Sequence, residues 1–275
     1  MRQCNRIDLD YEILCFDDGS RKKIKYENSI LSDYFGVNYT ELSENLGRAR
    51  IRNWMAKSAS YENLLFLDCD SRVLKKDVIS TYLDLIGDYD IVSGGRHYAK
   101  KKPRAKSKYL HWLYGSKRES VAAAKRQSSP AMFFHSNNFM VRREVMMDHA
   151  FDEQLEGYGY EDLLWAQRLL EDNYSLKHIN NPVEHLGLEK ADVFLKKTDR
   201  SIQNLVGLIK RGEAIETQLT RFAERLKKWH LDKMVNRYLE SNHENLKASL
   251  LSSTPKLYQL QLYKLYLYNF YINTD

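Results

Sequence analysis

The stretch Asn63-Leu-Leu-Phe-Leu-Asp-Cys-Asp-Ser71 constrains the fold of this chain more than any other. Its apolar run has the length of a buried strand and stops abruptly at two acids one residue apart. In extended backbone, side chains two apart point the same way, so Asp68 and Asp70 are expected to share a face. Open α/β sheets bind their ligands beyond the carboxyl ends of strands, where this pair lies. Two carboxylates at that spacing repel each other unless a cation lies between them, and hard cations such as Mg²⁺ or Mn²⁺ favour oxygen ligands. A cation held this way is most useful beside a diphosphate. The motif therefore points to a metal-dependent site for a nucleotide-linked substrate. Asp-x-Asp also suits a plain turn and helix cap, so the rest of the chain has to decide.

Secondary structure alternates around this motif. Tyr11-Glu-Ile-Leu-Cys-Phe16 reads as a strand running into the turn Asp17-Asp18-Gly19-Ser20. Apolar stations at Leu46, Ile51, Trp54 and Met55 predict a helix over 44–58, with Arg48 and Arg52 beside them. A second helix is predicted over 73–86, and Asp90-Ile-Val-Ser93 then enters a Gly94-Gly95 turn as a short strand. This succession predicts an α/β fold with a mostly parallel sheet flanked by helices. The basic stretch 96–130, with its knot of Tyr109, His111, Trp112 and Tyr114, stays unassigned. Residues 133–141 are expected to be extended. Gly157-Tyr-Gly-Tyr-Glu-Asp162 is a glycine turn opening a helix over 162–170, and Leu176–Ile179 is a strand ahead of Asn181-Pro-Val-Glu-His185.

From about residue 195 the pattern becomes helical. Ile202, Leu205, Val206 and Ile209 repeat at helical spacing, and Ile215, Leu219, Phe222, Leu226 and Trp229 form an amphipathic seam. The Tyr- and Leu-rich stretch 257–272 predicts a helical tail that either folds against the catalytic domain or rests at a membrane surface. The expected organisation is a catalytic domain over 1–194 and a helical extension over 195–275.

Lys and Arg outnumber Asp and Glu, 43 to 37, for a formal charge of +6. That balance suits an anionic partner such as a nucleotide, an acidic glycan or lipid headgroups, without indicating nucleic acid. The run Lys100-Lys101-Lys102-Pro103-Arg104 reads as solvated loop charge. Cys4, Cys15 and Cys69 are odd in number and lack metal-ligand spacing, which argues for a reducing compartment. No apolar run is long enough to cross a bilayer, and no secretory signal is expected. The expectation is a cytoplasmic protein, soluble or held peripherally at the inner face of the membrane.

Taken in order, Asp17-Asp18-Gly19-Ser20, Asn45-x-Gly47 with Arg52-Asn53, Leu67-Asp68-Cys69-Asp70 and Glu161-Asp162 resemble the signatures of family 2 glycosyltransferases. The resemblance spans roughly residues 10 to 190 and implies the GT-A fold, an inverting reaction and a nucleotide-sugar donor. Gly157-Tyr158-Gly159-Tyr160-Glu161-Asp162 is also similar to the glycine, aromatic, Glu-Asp stretch of galactosyltransferase-like members. The resemblance implies that Asp17 and Asp18 hold the base and ribose, with Arg48 and Asn53 on the nucleotide side. It further implies that Asp70 coordinates the metal, Mn²⁺ or Mg²⁺, while Asp68 contacts the ribose or a metal-bound water. His185 fits a further metal ligand, as imidazole suits Mn²⁺ better than Mg²⁺. Asp162 is the implied catalytic base, with Glu161, Tyr158 and Tyr160 gripping the acceptor, a glycan or a lipid-linked sugar. His135, Asn137 and Asn138 are further candidates for the acceptor pocket.

Family members open with an apolar strand and a helix, whereas Met1-Arg-Gln-Cys-Asn-Arg6 looks like the end of that helix. The expectation is a start truncated by roughly 25 residues, one strand-plus-helix unit. A non-catalytic relative that binds nucleotide-sugar or glycan is the alternative reading. A nucleotidyltransferase would also pair an Asp with a metal, but the Glu161-Asp162 helix and the lack of a glycine-rich N-terminal phosphate loop argue against it.

Overall fold

The structure, a computed structural model, describes residues 3–6, 9–155 and 158–274. Gly157 of the expected glycine turn lies outside the described residues.

The chain begins with a short 3-10 turn, Cys4–Arg6, followed by β1 (Ile13–Asp17), α1 (Lys22–Asn28) and β2 (Val37–Glu41). β1 and β2 pair in parallel, with Asp17 opposite Glu41 at their carboxyl ends. The next helix, α2 (Arg48–Ser58), starts later than its apolar spacing predicts. Gly47 ahead of it adopts φ 84°, and the Leu46 and Gly47 N–H groups donate to the Asp18 carboxylate rather than entering a helix.

β3 (Asn63–Leu67) carries the apolar run into the acid pair, and β4 (Ser71–Val73) follows at once. Pairing of β4 takes Val73 out of the expected helix, which shrinks to α3 (Val78–Leu83). β5 (Ile91–Ser93) and β6 (Arg96–His97) flank the Gly94-Gly95 turn. α4 (Tyr109–Tyr114) and α5 (Ala123–Gln127) fill the stretch that the sequence left unassigned. The expected extension over 133–141 is half realised. Ala131–Phe133 is a 3-10 turn, and only β7 (Asn138–Arg142) pairs, leading into α6 (Arg143–Asp148).

The domain continues with α7 (Glu161–Glu171), β8 (Leu176–His178) and β9 (Val183–His185). The main sheet has the order β3-β7-β5-β8, and a smaller one has the order β4-β9-β6. In the main sheet β3, β5 and β8 run one way, and β7 is inserted between β3 and β5 in the opposite direction. Among the described residues β1 pairs only with β2, and β3 only with β7.

An aromatic core lies beneath the sheet. Phe66 stacks on Phe139 at 4.8 Å, and Phe151 stacks on Trp165 at 4.7 Å. Trp165 lies one turn along α7 from Glu161, and its indole N–H donates to the His149 carbonyl at 2.7 Å. This packing fixes where α7 begins. Removing such a ring would cost about 3–5 kcal/mol.

Four helices complete the chain: α8 (Ala191–Lys210), α9 (Gln218–Lys228), α10 (Asp232–Leu250) and α11 (Leu257–Ile272). They share a core of Ile202, Leu205, Leu208, Leu239, Leu250 and Leu260, which is continuous with Leu110 of α4 and Leu164 of α7. α8 runs through residue 195 without a break. Of the two readings of the tail, packing on its own protein is the one observed, because α11 lies against α8 and α10 with Leu260, Tyr263, Leu265, Leu267 and Tyr268 buried. The predicted seam of α9 is only partly internal. Ile215 and Leu226 are buried, but Phe222 and Trp229 face solvent. No helix among the described residues is long and apolar enough to cross a membrane.

Candidate active site

The turn Asp68-Cys69-Asp70 joins β3 to β4 and is fixed from both sides. The Asp68 N–H donates to the Asn137 carbonyl at 3.0 Å, and the Asp70 carbonyl accepts from Leu186 N–H at 2.8 Å. The register of β4 on β9 sets Ser71 opposite His185. That pairing brings His185 Nδ1 to 3.3 Å from Asp70 Oδ1. The adjacent His185 imidazole holds the Asp70 carboxyl below its ordinary value, and partial burial opposes this. A Cβ on Gly187 would overlap the Asp70 carboxylate and lie 3.0 Å from His185 Cε1, so a residue without a side chain walls this pair.

Asp68 points to a different set of partners. Its Oδ1 accepts from Arg52 Nη2 at 3.0 Å, and its Oδ2 lies 4.0 Å from Arg96 Nη2. Arg96 also pairs with Glu119 at 3.1 Å. Burial alone would raise the Glu119 carboxyl, but Arg96 and the Tyr98 hydroxyl outweigh it and bring the group down to about 2. Around the turn, Asp70 Oδ1, Arg52 Nη1, Arg96 Nε and Asn137 Oδ1 are buried without a hydrogen-bond partner among the described residues. Native interiors satisfy such atoms, so a cluster of them marks a place built for polar atoms from elsewhere.

Across from the turn, the first residues of α7 supply the second acid pair. Ser136 donates its N–H to Asp162 Oδ2 at 3.0 Å and its hydroxyl to Oδ1 at 2.7 Å. Burial would push Asp162 up, yet Arg52 and these two bonds prevail and hold the carboxyl below its usual range. Glu161 is more deeply buried, accepts from Gly159 N–H at 2.9 Å and lies 3.9 Å from Arg48. Burial and the neighbouring Asp162 raise it to about 7.

Three arginines tie the two acid pairs together. Burial works against the Arg48 charge, but Tyr158, Glu161, Asp68 and Asp162 more than restore it. Arg52 bonds Asp68 and also lowers Asp162, while Arg96 acts on Asp68, Asp70 and Glu119. Asp68, Asp70, Glu161 and Asp162 therefore share one field of charge.

Other expected residues have been given structural work. Asp18 is the clearest case: its carboxylate accepts from Leu46 N–H at 2.6 Å and Gly47 N–H at 3.1 Å, and so fixes where α2, and with it Arg48 and Arg52, begins. Asp17 is buried and accepts from Ser20 N–H at 2.7 Å. Asn53 is buried: its amide donates to the Phe151 carbonyl and to Glu153 and accepts from Phe151 N–H, so both of its donors are taken within the protein. Asn138 likewise joins Tyr82, Gly95 and Asn181 in a buried network rather than lining a pocket. Tyr160, at φ 71°, packs against the helical core. The Tyr158 ring is covered by Arg48 at 4.8 Å and Lys197 at 5.3 Å. Asn204 of α8 holds this loop through the carbonyls of Tyr158 and Gly159. His135 lies in the field of Asp162, Arg96 and Glu119, and burial lowers its imidazole.

Arg96, Glu119 and Ser136 were not singled out from the sequence. Arg96 had a signal, because it follows the carboxyl end of a strand and a Gly-Gly turn. Glu119 and Ser136 had none.

The family model for glycosyl transferase family 2 matches residues 2–149, more than half of the chain. The chain belongs to glycosyl transferase family 2. Among solved structures, this family 2 glycosyltransferase is similar to the mannosyltransferase PcManGT from Pyrobaculum calidifontis in complex with GDP-Man and Mn²⁺. That match is 14% identical, covers 97% of this chain and 79% of that one, and has a TM-score of 0.56. S. aureus TarS 1-349 is 16% identical over 89% of this chain and 68% of its own, with a TM-score of 0.47. The same fragment in complex with UDP matches 87% of this chain and 66% of its own at the same score and identity. No curated protein sequence matches the chain. The likeness to PcManGT shows the GT-A fold, followed here by α8 to α11. The family match ends ahead of Glu161, Asp162 and His185.

Proposed function

We propose that the chain is an inverting transferase that moves a sugar from a UDP-linked donor to a hydroxyl of a glycan or lipid-linked acceptor. The observation that carries this reading is the coupling of two separate acid pairs through Arg48, Arg52 and Arg96. One pair suits a diphosphate with its cation, and the other suits an alcohol that must lose a proton.

No group of three or more His, Cys, Asp or Glu residues able to hold a metal occurs among the described residues. Asp70 and His185 nevertheless offer an oxygen and a nitrogen in contact, Asp70 Oδ1 lacks a hydrogen-bond partner, and Gly187 leaves room beside both. This donor set fits Mn²⁺ or Mg²⁺ if the remaining positions come from diphosphate and water. Such a cation would offset charge on the departing nucleoside diphosphate. Asp17, at the end of β1, is the candidate for the nucleoside, and Asp18 positions Arg48 and Arg52.

At the other pair, Asp162 is held ionised by Ser136 and Arg52. As the acceptor oxygen bonds to the anomeric carbon, the carbon–oxygen bond to the diphosphate breaks and the hydroxyl proton passes to the Asp162 carboxylate. Displacement from the face opposite the leaving group inverts the anomeric centre. Glu161 fixes the loop at Gly159 and the position of Arg48.

The test is a panel of nucleotide-sugars incubated with the purified chain and Mn²⁺, with nucleoside diphosphate release as the readout. Release abolished by Asp70→Ala supports the reading. Tight donor binding with no turnover for any donor or acceptor points instead to a non-catalytic relative.

A further inference from the structure

The elbow between α9 and α10 exposes what a soluble surface normally covers. Phe222 is 47% exposed, Trp229 63%, Met234 65% and Tyr238 56%, and Leu231 is exposed with them. The helices themselves cause this. α9 turns Thr220, Ala223 and Leu226 inward, so Phe222 is left on the outer side. His230 at φ 57° then breaks the chain direction and leaves Trp229 at the corner. On α10, Leu231, Met234 and Tyr238 follow at spacings of three and four and line one stripe, whereas the buried stations are Leu239, Leu246 and Leu250. Met234 and Tyr238 border a groove of about 480 Å³ together with Lys233, Arg237, Ser241 and Asn242.

A ring of positive charge surrounds this apolar stripe. Arg225, Lys227, Lys228, Lys233 and Arg237 are all exposed, and among the described residues none makes an ion pair. Glu224, Asp232 and Glu240 are the acids nearest in sequence, and none of them makes an ion pair with these cations. Nearby Arg221, by contrast, is paired with Glu216 at 3.4 Å. Exposed contiguous apolar residues mark an interaction surface. Trp, Tyr, Leu and Met beside long basic side chains are the combination that lies in a lipid interface, rings among the headgroups and cations on the phosphates.

We propose that the α9–α10 elbow docks this protein onto an anionic lipid surface, with Trp229 and Met234 inserting and Lys227, Lys228, Lys233 and Arg237 contacting lipid phosphate. The surface lies on α9 and α10 rather than on the tail, since α11 turns Leu260, Tyr263, Leu265, Leu267 and Tyr268 into the bundle and leaves only Tyr258 and Phe270, far apart on the helix, more than half exposed. The proposal does not depend on the transfer reaction and is read by binding alone.

The full chain is sedimented with vesicles of phosphatidylcholine, alone or with about one third phosphatidylglycerol, at low and high salt. Expected is binding to the anionic vesicles that weakens with salt and falls at least about tenfold in W229E/M234E. A charge variant, K227Q/K228Q/K233Q/R237Q, loses the salt-sensitive part. Both variants alter exposed side chains, and an unchanged melting temperature confirms folding. Absence of binding to anionic vesicles overturns the proposal. So does equal binding to both vesicle types, or binding that neither variant weakens. Concentration-dependent self-association abolished by W229E/M234E, without vesicle binding, would make the elbow a contact between copies and also overturn it.

Discussion

His185 stands 3.3 Å from Asp70 because Ser71, the residue after Asp70, is registered opposite His185 in the pairing of β4 with β9. Two groups distant in sequence are thus fixed by backbone hydrogen bonds and not by a flexible loop. Either group alone would be a weak ligand, and the proposed function uses the two together. Asp70→Asn and His185→Ala should each lower Mn²⁺-dependent donor cleavage by at least about 100-fold. The denaturant midpoint of Asp70→Asn should barely move, because Asp70 is partly exposed, whereas the more buried His185, packed against Tyr98, should cost some stability when replaced. Equal loss of stability and activity would instead assign the pair a structural role.

Gly187 supplies a more selective test. Its Cβ would fall on the Asp70 carboxylate, and no other residue type leaves that space. Gly187→Ala should push Asp70 aside and weaken the metal dependence roughly 10–100-fold while leaving donor binding without metal unchanged. Titration of activity against Mn²⁺, with calorimetric binding of the nucleotide alone, separates the two effects.

Asp162 owes its low proton affinity to bonds that favour the anion, and Ser136 supplies two of them. Removing the hydroxyl in Ser136→Ala destabilises the carboxylate relative to the acid, so its pKa rises. A base must be ionised to act, and the acidic limb of kcat/KM against pH should therefore move to higher pH. Asp162→Asn should lower kcat by roughly 10²–10⁴-fold. An unshifted limb in Ser136→Ala would show that another group accepts the proton.

The placement of the acid pairs was legible in the sequence. An apolar run ends at Asp68 and Asp70 as a strand does, and Glu161 and Asp162 open a helix, because both patterns lie in adjacent residues. Which partner a side chain finds depends on the third dimension, and that was not legible. Asn53 sits in a motif at helical spacing, but a carbonyl from Phe151, far along the chain, claims its amide. Asp18 looks like a ligand because it is an acid after a strand, yet the loop it caps at Leu46 and Gly47 is revealed only by folding. The reversed strand β7 was beyond reach for the same reason, since strand direction in a sheet is set by long-range pairing. Phe222 and Trp229 share a helical period with Leu226 yet face solvent, because periodicity fixes a spacing and not which side is covered.

Glu161 gives a stability prediction with a definite sign. Burial, reinforced by Asp162, raises its carboxyl from 4.5 to about 7, and Arg48 at 3.9 Å offsets this only in part. The folded chain thus holds a proton that the unfolded chain releases. The group's contribution is fully present below the unfolded value and is lost as pH rises through about 7. Glu161→Gln removes the ionisation while its amide oxygen can still accept from Gly159 N–H, so the variant should gain on the parent as pH rises. At about pH 8 the gain should reach roughly 1–3 kcal/mol, and near pH 4 it should vanish. Urea midpoints for both proteins across that range supply the measurement. A difference that stays flat with pH would mean that Glu161 ionises as an ordinary surface carboxylate, and its placement beside Asp162 would need revision.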